Sequence, residues 1–217
     1  MAERHASAYD DPGTPEEVSR RTFLARATMV MGGVVGVTLA VSLIGSLVPT
    51  EEILSGTKRW APLEAKEFNQ LQAGASLAPL KLFFMHKSQD GYLETDSREY
   101  VWGLKLTPAQ EQQMRTDRPD LFGDKAKEVS FPVFNLGFVI FSPICPHLGC
   151  HYNWDSGVGK FICPCHGSVY DTYGKHLAGP APRGLDPLPL REQNGVAEIT
   201  WIQYETAVPD RVIIAYS

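Results

Sequence analysis

Apolar positions are spread unevenly along the chain. Residues 1–19 are polar, with Pro12, Pro15 and several acids, and read as a disordered head. From Ala27 to Val48 the chain carries no charge, "ATMVMGGVVGVTLAVSLIGSLV". At ~1.5 Å per helical residue that run spans about 33 Å, close to the ~30 Å hydrocarbon thickness of a bilayer. A buried helix of a soluble protein rarely continues so far without a polar face. The run therefore predicts a single membrane-spanning helix over 27–48. The hydrophobic character lapses from Pro49 to Trp60, a stretch carrying Gly56, which reads as a linker, either a flexible hinge or an ordered stalk.

From residue 61 onward the pattern changes to short β-branched and aromatic runs bounded by Gly, Pro or Asn. "LKLFFMH" (80–86), "FPVFNLGFVIFS" (131–142), "GKFICP" (159–164) and "GVAEITWIQYE" (195–205) each predict strand. Turn signals every ten or so residues predict a mainly β head domain over 61–217, an antiparallel sandwich or barrel. One helix interrupts it. Thr107-Pro108-Ala109-Gln110 sets a capping Thr, a Pro at the first helical position and a Gln at the third, ahead of "EQQMR". That helix sits in a polar stretch, 87–129, which reads as an insertion between two strands.

Charge orients the apolar run. Arg20, Arg21 and Arg26 precede it, and Glu51 and Glu52 follow it. The positive-inside rule places residues 1–26 in the cytoplasm as a tail, and the head on the outer, periplasmic or extracytoplasmic side. Ser19-Arg20-Arg21-Thr22-Phe23-Leu24 resembles a twin-arginine export signal, a route taken by folded, cofactor-loaded proteins. Plain topogenic arginines are the other reading. "SLVPTEE" is a poor processing site, so a retained anchor is expected. A net charge of −5 over 217 residues gives no basic face for nucleic acid. With 43% hydrophobic residues the chain can bury a core, and four cysteines are too few for a disulfide scaffold of this size.

All four cysteines fall between Cys145 and Cys165, in two clusters. These are Cys145-Pro146-His147-Leu148-Gly149-Cys150 and Cys163-Pro164-Cys165-His166-Gly167-Ser168, both read as loops after strands. Cysteines and histidines at C-x-H and C-x-x-H spacing can converge on one metal centre. Three readings follow. A structural zinc site normally has other spacings and leaves two cysteines without a role. A pair of disulfides makes His147 and His166 coincidental. A 2Fe–2S centre with two Cys on one iron and two His on the other uses four of the six residues and leaves Cys150 and Cys165 as a close pair that oxidises outside the membrane.

The pair CPHLGC and CPCHGS resembles the two cluster-binding loops of Rieske iron–sulfur proteins, as found in quinol-oxidising cytochrome bc complexes. The resemblance is strong over about 138–190 and extends elsewhere to the order of parts: anchor, linker, β-rich head. Its usual C-T-H becomes C-P-H here, at Pro146, a position that is not a ligand. It implies a cluster-binding subdomain, 138–190, set into a sandwich-like head. Cys145 and Cys163 would ligate the buried iron, and His147 and His166 the solvent-facing one. Cys150–Cys165 would be a disulfide tying the loops together. Ser168 and Tyr170 would donate hydrogen bonds to a cluster sulfide and a cysteine sulfur, which raises the potential. Gly179-Pro180-Ala181-Pro182 would form a shielding proline loop.

The resemblance also implies a function. His166, with His147 beside it, would accept a hydrogen bond from quinol and take up an electron and a proton. Leu148 would dock on a cytochrome b, and the electron would pass to a c-type cytochrome. Such a subunit does not turn over quinol alone. The rival reading is a Rieske electron-transfer subunit of an exported molybdenum oxidoreductase such as arsenite oxidase. Ring-hydroxylating oxygenases fit less well, because their Rieske domains generally lack the disulfide pair. His5, His86, His151 and His176 match no motif, although His151 directly follows Cys150.

Overall fold

The structure is a computed structural model that describes residues 15–47, 59–90, 93–122 and 129–216. The chain divides into two compact units, residues 1–50 and 51–217. In the first, α1 runs over Pro15–Leu47. It begins well before the predicted start at residue 27, so the double arginine lies within the helix. Ser19–Gly45 is long and apolar enough to cross a membrane, by length and composition. Three of its hydroxyls bond back to the helix: Thr28 Oγ1 donates to the Leu24 carbonyl at 2.8 Å, Thr38 Oγ1 to the Val35 carbonyl at 2.9 Å and Ser42 Oγ to the Thr38 carbonyl at 2.9 Å. Such back-bonding suits a helix surrounded by nothing that can accept a hydrogen bond. Residues 1–14, and nearly all of the linker predicted over 49–60, lie outside the described residues.

The second unit is built mainly of antiparallel strands. In chain order it has β1 (Ala61–Pro62), α2 (Ala65–Ala73), β2 (Leu80–Asp90), β3 (Leu93–Lys105) and α3 (Pro108–Asp117), then a 3-10 turn at Pro119–Leu121. There follow β4 (Phe134–Asn135), β5 (Phe138–Phe141), β6 (Asn153–Asp155), β7 (Lys160–Ile162), β8 (Val169–Tyr170) and β9 (His176–Ala178). The chain closes with β10 (Pro187–Leu188), β11 (Leu190–Gln193), β12 (Val196–Ile199), β13 (Ile202–Tyr204) and β14 (Ile213–Tyr216). The largest sheet is ordered β10-β5-β3-β2, with β4 hairpinned onto β5; a three-stranded sheet is ordered β1-β12-β11. Strands β6-β7-β8-β9 form a separate four-stranded sheet, and β13 pairs with β14.

The predicted insertion is corrected by this topology. Residues 87–90 and 93–105 are strand, the outer end of β2 and all of β3, paired from Asp90↔Leu93 to Leu80↔Gly103. The far end of this hairpin reads as loop because its positions are polar on both faces. Only residues after Lys105 leave the sheet, and there the predicted helix forms as α3. Thr107 Oγ1 accepts from the Gln110 amide at 3.4 Å and the Thr107 amide donates to Gln110 Oε1 at 2.8 Å, the reciprocal capping box. The run 131–142 is two strands, not one. Leu136 and Gly137 take φ of 56° and 78°, the left-handed pair that a two-residue hairpin turn requires. The run 195–205 likewise breaks at Thr200 and Trp201 into β12 and β13.

Strand β5, "FVIF", is buried on both faces, and the period of two sorts its side chains into two cores. Phe138 and Ile140 join Leu82, Phe84, Leu190 and Ile199 in a core shared by the largest sheet and the three-stranded one, with Phe68 and Leu71 of α2. Val139 and Phe141 face the other way, with Trp102 and Leu104, onto Phe161 and Tyr170 of the four-stranded sheet and Tyr152 just before it. Cys145 and Cys163 belong to this second core. The sheet is thus the floor on which the two cysteine loops stand.

Candidate metal centre

The first loop leaves β5, and the second joins β7 to β8. They repeat one design that sequence inspection missed: C-P-x-x-G-x-x-Y, from Cys145 to Tyr152 and again from Cys163 to Tyr170. In the first, the Cys145 amide donates to the Cys150 carbonyl at 2.8 Å and the Gly149 amide returns to the Cys145 carbonyl at 3.0 Å. In the second, the Cys163 amide donates to the Ser168 carbonyl at 2.8 Å and the Gly167 amide to the Cys163 carbonyl at 3.1 Å. Each loop needs a left-handed residue at its fifth position, and Gly149 and Gly167 supply it with φ of 80° and 72°. The matching spacing of Cys, Pro, Gly and Tyr was the signal available in the sequence.

Cys150 and Cys165 form a disulfide that ties the loops together. Cys145 and Cys163 are free thiols, both buried. Cys163 Sγ lies within 4.8 Å of the two disulfide sulfurs. Those three sulfurs do not make a ligand set, because two of them are already bonded to each other. Above the thiols, the rings of His147 and His166 meet edge to face, with centroids 4.8 Å apart. His166 is exposed, His147 is half-buried, and Leu148 between the two loops' tips is 58% exposed. All six motif residues therefore converge, sulfur on the inner side and imidazole on the outer.

The polar surroundings are equally specific. Tyr170 Oη lies 3.1 Å from Cys145 Sγ. Burial, and then the contact with Cys145, push the Tyr170 phenol far above its ordinary range, so it keeps its proton to donate. Burial pushes the Cys145 thiol up, while the Tyr170 hydroxyl and the His147 backbone amide draw it down. On balance the thiol stays raised, the two donors only partly offsetting its burial. Ser168 is buried, and its Oγ accepts from the Ala181 amide at 3.2 Å, leaving its own hydrogen to donate elsewhere. Gly179-Pro180-Ala181-Pro182 lies against the second loop: a Cβ on Gly179 would stand 2.5 Å from Ser168 Cα.

The unmatched histidines are placed apart from this set. His151 is exposed and packs edge to face on Tyr100 at 5.5 Å. His176 meets the Tyr170 ring at 5.7 Å, and burial against Phe84 and Trp201 lowers the His86 pKa. His5 lies outside the described residues.

Sequence reasoning also missed a buried ionic network beside the site. Arg183 grips Asp186 with two bonds, at 2.9 and 2.8 Å. Arg211 bridges Asp186 at 3.0 Å and Asp120 at 2.6 Å, and Arg118 completes the chain to Asp120 at 3.0 Å. Burial would raise the Asp120 carboxyl, but Arg118 and then Arg211 hold it down to about 2.

Two buried thiols beside two imidazoles in edge-to-face contact, one exposed and one half-buried, define a mixed cysteine–histidine metal centre on a β scaffold. This donor set suits a two-iron cluster with chemically different ends, and no single tetrahedral ion would need the loops to be split in that way. The comparisons agree. A family profile described as "Rieske [2Fe-2S] domain" matches residues 109–189. The cytochrome b6-f complex iron-sulfur subunit of Synechococcus sp. (strain RCC307) is 33% identical over 82% of this chain and 80% of its own length. The same subunit of Prochlorococcus marinus (strain MIT 9301) is 52% identical over a shorter region, 30% of this chain and 36% of its own length. Among solved structures, the soluble domain of the Rieske protein II from Sulfolobus acidocaldarius aligns with 70% of this chain and 82% of that one at 18% identity, TM-score 0.39, too loose a likeness to carry weight. The chain belongs to the family of cytochrome b6-f complex iron–sulfur subunits, and its cofactor is a Rieske 2Fe–2S cluster.

Proposed function

We propose that this chain is the Rieske subunit of a membrane quinol–cytochrome c oxidoreductase. It takes an electron and a proton from quinol and passes the electron to a c-type cytochrome. The observation that carries this reading is the pair of imidazoles at the exposed tip, 4.8 Å apart, above two buried thiols. Cys145 and Cys163 would hold the inner iron, and His147 and His166 the outer one. The cluster, when bound, supplies one-electron chemistry at an iron whose imidazole ligands become more basic on reduction.

The remaining work falls to the chain. His166, the more exposed ring, accepts the quinol hydroxyl at the nitrogen turned to solvent and retains its proton there. Leu148, Pro164 and the exposed edge of the loops exclude water around that nitrogen once the head rests on cytochrome b. Tyr170 and Ser168 favour the reduced state by donating hydrogen bonds to sulfur. α1 anchors the subunit with its N-terminus in the cytoplasm and its head outside, delivered through the twin-arginine signal around Arg20 and Arg21.

Solubilising the full chain from its own membranes tests the reading. A haem-bearing cytochrome b should copurify, and quinol should reduce the cluster in that complex. Copurification with a molybdenum-containing subunit instead, and no cytochrome b, would overturn it.

A further inference from the structure

Arg118 ends α3 and turns its side chain inward, only 1% exposed. Its guanidinium does not simply pair with acid. Nη1 donates to the Tyr173 carbonyl at 2.9 Å and Nη2 to the Leu185 carbonyl at 2.8 Å. Those two carbonyls lie at the start and end of one excursion of the chain, 173–185, whose neck is also pinned by the Leu185 amide donating to the Gly174 carbonyl at 2.8 Å. The excursion carries β9 and Gly179-Pro180-Ala181-Pro182. At its far end the Ala181 amide meets Ser168 Oγ.

The neck is shaped for this side chain. A Cβ on Gly184 would stand 2.8 Å from Arg118 Cζ, and one on Gly174 would stand 2.8 Å from Arg118 Nη1. The guanidinium plane is fixed from behind, because Nε donates to Asp120 Oδ1 at 3.0 Å and Asp120 is itself held by Arg211. A planar fork with donors in three directions is what the geometry uses; a lysine ammonium offers a point charge and cannot span both carbonyls and the carboxylate.

We infer that Arg118 is a positioning residue: it closes the neck of the 173–185 loop, and through that loop sets the Ala181–Ser168 contact over the cluster. This gives the polar segment after β3 a purpose, since α3 and its 3-10 turn deliver the guanidinium to the neck. The effect on the cluster rests on the function proposed above, whereas the effect on the loop does not.

The experiment uses the full-length protein in detergent, as wild type, Arg118→Lys, Ser168→Ala and the double variant. Hydrogen exchange at the Ala181 amide reads the loop without reference to any cofactor, and redox titration reads the cluster. Arg118→Lys should speed Ala181 exchange by about tenfold while β3 and β5 amides keep their protection. Chelator should bleach the cluster about tenfold faster, the usual cost of loosening an outer partner of a metal site. Ser168→Ala should lower the potential in wild type and do so less in the Arg118→Lys background, the mark of coupled residues. Unchanged Ala181 protection, or an undiminished Ser168→Ala effect, would overturn the inference and leave Arg118 a structural ion-pair member. If Arg118→Lys does not accumulate, Asp120→Asn, which frees the guanidinium from behind, must show the same coupling. Loss of Ala181 protection in a chain without a Rieske-type potential would sink the proposed function and spare the loop mechanism.

Discussion

Two tyrosines occupy equivalent places in the two loops and do different work. Tyr170 Oη stands 3.1 Å from Cys145 Sγ, while Tyr152 Oη donates to the Ser142 carbonyl at 2.5 Å. Tyr170→Phe should therefore lower the reduction potential by about 60 mV, the one-electron equivalent of a hydrogen bond worth about 1.4 kcal/mol. Tyr152→Phe should leave the potential alone and lower unfolding stability by about 1–3 kcal/mol, because a buried carbonyl loses its donor. Redox titration and denaturant unfolding of both variants check the contrast. At this scale the motif residues were legible, since ligand chemistry demands particular side chains at particular spacings. Tyr152 was not, because its partner is a backbone carbonyl, which any sequence supplies.

Elements were legible where apolar residues run together, as in β5, and obscure where both faces are polar. The apolar and aromatic run "LKLFFMH" announced β2, whereas the far half of the same hairpin offered no such run and β3 was lost with it. "YVWGL" within β3 did carry a strand signal, an aromatic and β-branched run that the surrounding charges masked. Gly103 in that run has a packing reason. A Cβ there would stand 2.5 Å from Leu82 Cδ1 and 2.8 Å from Leu71 Cδ2. Gly103→Ala should cost about 1–3 kcal/mol by overpacking between β3, β2 and α2, readable as a lower melting temperature with the cluster intact. The disulfide acts on the loops rather than on the sheets. It closes a separation of 15 residues, so Cys165→Ser should release about 3 kcal/mol of constraint and make the cluster more labile to chelator at unchanged strand content.

For the whole molecule, the ionic chain from Arg118 through Asp120, Arg211 and Asp186 to Arg183 joins three parts that are distant in sequence. It links the end of α3, the neck of the proline loop and the C-terminal segment, where Arg183 also donates to the Glu205 carbonyl at 2.7 Å. No local pattern reveals such a network, because each charge looks like an ordinary surface residue until the fold buries it. Its acid behaviour follows from Asp120, whose pKa falls from 3.8 to about 2. A carboxyl lowered on folding contributes stability that is complete above its unfolded pKa and lost as pH drops through the folded one. Asp120→Asn should lower stability at neutral pH and flatten the loss between about pH 4 and pH 2, measured by unfolding across that window. The division into an apolar helix and a β-rich head was plain from composition alone, because a bilayer and a water-exposed core select such different residues.

Four side chains sharing one cluster are central to the proposed function, and ligand substitution tests that sharing most directly. Cys145→Ser, His147→Ala, Cys163→Ser and His166→Ala should each abolish the low-temperature electron paramagnetic resonance signal of the reduced protein, along with its acid-labile sulfide. His151→Ala and His176→Ala should keep both. A full signal in any of the first four, or a single zinc and no labile sulfide in the wild-type chain, would contradict it.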